Sequence, residues 1–155
     1  MKVKVTPLNE NLMNRFRVAY HKAVMDAMQY MNDHNYAPIL DVEKRDIVYS
    51  EISPHTKLQT AHLQSAIRAA QALRRAGLIE LDDVIDHVYI TLRSDTYQIV
   101  FRNGVSCIDI RTLRGRPGKA DFVMTLTTDL VAELPPQSKR LWLYQKASDW
   151  YVVFN

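Results

Sequence analysis

Thr56-Lys57-Leu58-Gln59-Thr60-Ala61-His62-Leu63-Gln64-Ser65-Ala66-Ile67-Arg68-Ala69-Ala70-Gln71-Ala72-Leu73-Arg74-Arg75-Ala76-Gly77 runs directly into Leu78-Ile79-Glu80-Leu81 and then Val88-Tyr89-Ile90-Thr91-Leu92. Leu63, Ala66, Ile67, Ala70 and Leu73 recur three and four apart, the period of one helix face. Gln64, Arg68, Gln71 and Arg75 repeat at the same spacing as a polar stripe. Thr56 with Gln59 has the spacing of a capping box, which places the helix start between Ser53 and Thr60. Gly77 supplies the residue that closes the last turn. A helix with one polar stripe, followed by two short β-like runs, sets the fold class as α+β.

The same logic works outward in both directions. Thr6-Pro7 reads as a helix start, with Thr as N-cap and Pro at the first helical position. Leu12, Phe16, Tyr20, Ala23, Val24, Ala27, Met28 and Met31 then hold helical spacing, so a long helix is expected over residues 8–33. Its length leaves part of it for a homodimer contact, while Met25, Met28 and Met31 fit ordinary core packing first and an adaptable partner surface second. Residues 39–52 fit either a short helix from Asp41 or a strand around Asp46-Ile47-Val48-Tyr49.

From Tyr97 the period changes to two. Tyr97–Arg102 and Val105–Ile110 flank Asn103-Gly104, the dipeptide of a tight β-hairpin. Phe122–Thr127 is a further strand, Thr128–Leu134 one or two helical turns, and residues 140–146 and 150–154 a second hairpin. Trp142 and Tyr144 share one strand face, and Trp150, Val152 and Phe154 another. One of these faces must pack on the helices, while an exposed one would suit unpaired bases or a protein partner. The expectation is a helical, winged-helix-like region over residues 1–92 and a small antiparallel sheet over 93–155, packed as one domain.

Composition narrows the function classes. The 155 residues carry a net charge of +3, which permits nucleic-acid binding without demanding it. Charge is blocked along the chain. Residues 55–77 hold Lys57, Arg68, Arg74 and Arg75 and no acid, whereas 78–92 hold Glu80, Asp82, Asp83 and Asp86 and no Lys or Arg. Cys107 is the single cysteine, so no internal disulfide forms. No apolar leader or membrane-length run is present, and a cytoplasmic protein is expected.

Residues 44–92, and above all Thr60–Leu92, resemble the second half of a winged helix-turn-helix domain. The motif that carries the likeness is Leu73-Arg74-Arg75-Ala76-Gly77-Leu78-Ile79. The resemblance implies duplex DNA binding, with Gln64, Arg68, Gln71 and Arg75 reading or positioning the DNA. The turn at Asp82-Asp83-Val84-Ile85-Asp86-His87 departs from the basic wing of such domains and would have to face away from phosphate. Arg114-Gly115-Arg116-Pro117 resembles the core of an AT-hook, which implies that Arg114, Arg116 and the nearby Lys119 contact a minor groove or phosphate.

The expectation is therefore a non-enzymatic DNA-binding protein, with regulation among the roles it allows, duplex DNA as partner and no cofactor. The alternative is a small protein-interaction module, an adaptor or inhibitor. A third is a metal-dependent nuclease, built on Asp82, Asp83, Asp86 and His87 or on Asp109-Ile110-Arg111. No zinc spacing links the histidines to Cys107, and no glycine-rich phosphate loop is present.

Overall fold

A computed structural model describes residues 1–77, 89–129 and 140–154. The described elements run β1 (Lys2–Pro7), α1 (Glu10–Asp33), α2 (Val42–Ile52), a single 3-10 turn (Ser53–His55), α3 (Thr60–Arg75), β2 (Ile90–Arg93), β3 (Tyr97–Arg102), β4 (Val105–Arg111), β5 (Val123–Thr127), β6 (Arg140–Lys146) and β7 (Asp149–Phe154). The fold is α+β, with the helices in the first half.

The first element corrects the sequence reading. Lys2-Val3-Lys4-Val5 alternates with period two, and Val3 and Val5 are buried while Lys2 and Lys4 are exposed. Thr6-Pro7 ends this strand instead of opening a helix. The helix cap is Asn9, whose Oδ1 accepts the Leu12 N–H at 3.0 Å, so α1 begins at Glu10 and not at residue 8. Asp41 caps α2 in the same way through the Lys44 N–H, which settles residues 39–52 as helical at Val42–Ile52.

Thr56 does not cap α3. Its Oγ1 accepts the Leu58 N–H, and Leu58 bridges to Leu113, which holds residues 56–58 extended. The cap is Gln59, whose side chain accepts from Ala61 N. Gly77, at φ +81°, follows the last turn as expected.

The described strands form one antiparallel sheet in the order β2-β6-β7-β1-β5-β4-β3. It is larger than the small sheet expected, because β1 supplies the link between two halves. Residues 2–5 pair with β7, and Thr6 and Pro7 pair with Thr127 and Leu126 of β5. The N-terminal strand thus lies in the middle of a sheet otherwise built from residues beyond 89. Asn103 and Gly104, both at positive φ, close the β3–β4 hairpin. Ala147 and Ser148 do the same between β6 and β7.

Ile90–Arg93, the described part of the expected wing, pairs with β6 at one edge of the sheet. Leu78–Val88, including the acidic turn, lies outside the described residues, as do residues 130–139. Thr128 and Asp129 are not helical, since the Thr128 N–H and hydroxyl both bond Ser106 O.

One core joins helices and sheet. Phe16, Tyr20, Met28 and Met31 of α1 and Leu63, Ala66 and Ala70 of α3 are buried against Ile90, Leu92, Leu141, Leu143 and Val152. Each fully buried large side chain contributes about 1.5–3 kcal/mol by leaving water. Met28 and Met31 are buried in this core, as ordinary packing of the helix face predicts, and Met25 is half-buried. No described helix is long and apolar enough to cross a membrane.

Candidate nucleic-acid interface

The apolar stripe of α3 packs inward, which turns Gln64, Arg68, Gln71 and Arg75 outward. Gln64, Arg68 and Arg75 are exposed and Gln71 is half-buried. The first three residues of the stripe share a groove with α2, whose other walls are Thr60, Ile67, Val42, Arg45, Asp46 and Tyr49. Arg75 lies farther along the helix and is not among the groove residues. The Gln64 carboxamide oxygen accepts from Arg93 at 2.7 Å, and Arg93 also pairs with Asp95 at 2.9 Å. That anchor holds the Gln64 oxygen and leaves its NH2 group as a donor.

Arg45 is the groove residue that the sequence did not single out. Its Nε is buried and has no hydrogen-bond partner among the described residues. A buried unpaired donor costs about 1–3 kcal/mol. Arg45 escaped notice because residues 39–52 fitted two patterns, and the helix α2 is what brings it to the groove that Arg68 lines.

Arg74, in the same basic block, does a different job. It donates through Nε to Asn32 Oδ1 at 3.0 Å and through its terminal nitrogens to the carbonyls of Tyr36 and Ala37. It therefore ties the end of α1 to α3.

The Arg-Gly-Arg-Pro loop is folded, not extended. Thr112 N–H bonds Phe122 O and Phe122 N–H bonds Leu113 O, which closes its base. Lys119 N–H bonds Arg116 O across a turn with Gly118 at φ +79°. Arg114 Nη2 donates to Thr56 O at 2.6 Å, and its backbone N–H donates to Lys57 O at 2.7 Å. Arg114 is thus held against the 3-10 turn, whereas Arg116 and Lys119 stand exposed at the tip.

Arg114 lines a shallow groove with Pro54, His55, Thr56, Lys57, Gly115 and Pro117. The segment His55–Lys57 continues from there into a second groove against α1, where Arg15 adds positive charge and Lys22 pairs with Asp26 at 2.6 Å. Neither groove shares a lining residue with the α2/α3 groove, so the two predicted basic groups form separate surfaces.

The proposed catalytic side chains that the structure describes are engaged elsewhere. Asp109 accepts both terminal nitrogens of Arg102, at 2.9 and 2.7 Å, and the Thr125 hydroxyl at 2.7 Å. The Arg102 hydrogen bonds hold its carboxyl below the usual range. Cys107 is buried. His62 Nε2 lies 2.5 Å from Arg111 O, which assigns the proton to that nitrogen, and burial pushes its pKa down to about 4. Among the described residues no group of three or more His, Cys, Asp or Glu converges. Asp82, Asp83, Asp86 and His87 lie outside the described residues.

The C-terminal aromatics divide as strand alternation requires. Trp150 and Phe154 enter the core, while Trp142, Tyr144 and Tyr151 lie half-buried on the opposite face of the sheet.

No family model and no curated protein matches this chain.

Proposed function

We propose that the chain is a non-enzymatic DNA-binding protein that seats a duplex phosphate backbone in the groove between α2 and α3. The observation that carries this reading is that Arg45 and Arg68 both line that groove, and that the Arg45 Nε is buried with no hydrogen-bond partner among the described residues. A phosphate oxygen is the acceptor such a guanidinium takes best, because charge-assisted bonds are about twice as strong as neutral ones. Gln64 and Gln71 add donors along the same line, in the role of positioning contacts. Asp46 is the groove's one acid, and it limits the net field to a modest attraction.

Arg116 and Lys119 form a second, separate contact at the tip of their loop. Their exposure suits phosphate or a narrow minor groove. The role would be structural or regulatory binding, with affinity set largely by counterion release.

Fluorescence anisotropy with random and A·T-rich duplexes across a salt series tests the reading. Binding that weakens steeply with salt is the expected result. No binding at low salt would remove the DNA assignment and leave the protein-interaction alternative.

A further inference from the structure

The face of the sheet turned away from the helices carries a row of tyrosines. Ile90 pairs with Leu143, which sets Tyr89 beside Tyr144, and Tyr144 pairs directly with Tyr151. The rings follow this register. Tyr89 stacks on Tyr144 with centroids 4.9 Å apart at 30°, and Tyr144 on Tyr151 at 5.5 Å and 25°. Next along the row is β1, where Lys4 pairs with Tyr151. Lys2 Nζ flanks the Tyr144–Tyr151 pair, 4.4 Å from the Tyr151 centroid and 5.6 Å from that of Tyr144.

A cation therefore flanks the column, and Tyr89 ends it beside β2, the edge strand of the described sheet. Tyr89 is 52% exposed although its ring already stacks on a neighbour. A second row on the same face places Thr91 beside Trp142 and Trp142 beside Val153, with Lys2 following. The only acid among these strands' outward positions is Asp149, and it pairs with Lys4 at 3.6 Å.

We propose that this face binds single-stranded nucleic acid. An unpaired base stacks on the open face of Tyr89 and so extends the column. Lys2 and Lys146 meet the strand's phosphates. Every base has a π-face, so stacking on a tyrosine platform needs no particular sequence. A duplex cannot use the site, because its bases already stack on one another. The pattern matches the chemistry of sheets that splay unpaired bases over aromatic side chains beside lysines. An apolar protein segment fits less well, since the column is flanked by ammonium groups and topped by phenol hydroxyls.

The site shares no residue with the α2/α3 groove and stands whether or not that groove binds DNA. The test uses the whole chain with fluorescein-labelled oligothymidylate and oligouridylate at low salt. The wild-type protein is expected to bind at least one of them. Tyr89→Ala should weaken that binding roughly tenfold, while Tyr89→Phe, which keeps the ring, should stay close to wild type. Lys2→Gln should flatten the salt dependence by about one phosphate contact. Preference between the two oligomers tells whether the strand is DNA or RNA. Arg45→Ala with Arg68→Ala should leave this binding intact, which separates it from the groove. Failure to bind either oligomer, or equal binding by wild type and Tyr89→Ala, would overturn the proposal.

Discussion

Arg114 Nη2 donates to Thr56 O at 2.6 Å, across 58 residues of sequence. The bond ties the loop after β4 to the turn before α3, beside the Leu58–Leu113 bridge. It turns one arginine of the Arg-Gly-Arg-Pro sequence into a strut and leaves the other free to bind.

The two arginines should therefore separate on mutation. Arg114→Ala is expected to lower stability by about 1 kcal/mol, an exposed charge-assisted bond being worth less than a buried one, with little change in the salt slope of DNA binding. Arg116→Ala should leave the melting temperature unchanged and weaken DNA binding. A loss confined to A·T-rich duplex would place Arg116 in a minor groove, and an equal loss on all duplexes would make it a phosphate contact.

Gly115 is needed for space. A Cβ there would lie 2.1 Å from Ala120 O, a backbone atom that cannot swing away. Gly115→Ala should cost about 1–3 kcal/mol in urea denaturation through the shift it forces. Gly104→Ala meets no such atom and should act only through its positive φ.

His62 should make stability fall in mild acid. Its folded pKa, near 4, lies below the ordinary 6.5, so the unfolded chain binds the extra proton first. Stability is then full above pH 6.5 and is lost as pH falls towards 4, by at most about 3 kcal/mol. Asp109 is also held low, and its loss comes at lower pH, below the carboxylate's usual 3.8. Unfolding midpoints of wild type and His62→Gln between pH 7 and 4.5 check this. The wild-type curve should slope and the variant curve should flatten.

What could be read from the sequence was what local chemistry decides. Asn103-Gly104 marked a hairpin because few dipeptides take two positive φ angles cheaply. The α3 stripe and the core side of α1 followed from helical period. Lys2–Pro7 was misread because Thr-Pro is a good helix opener taken alone, while the partner that makes it a strand, Trp150–Val153, lies at the other end of the chain. The same distance hid the tyrosine row, since Tyr89, Tyr144 and Lys2 meet only through strand register. Arg45 could not be placed in one groove with Arg68 until residues 42–52 were known to be helical.

The most direct measurement is duplex DNA affinity against salt for wild type and for Arg45→Ala combined with Arg68→Ala. Each phosphate contact contributes about 0.9 to the logarithmic salt slope. The account predicts that the double variant stays folded, binds more weakly and loses about two units of that slope. An unchanged slope, or a wild-type protein that binds no duplex at low salt, would contradict it.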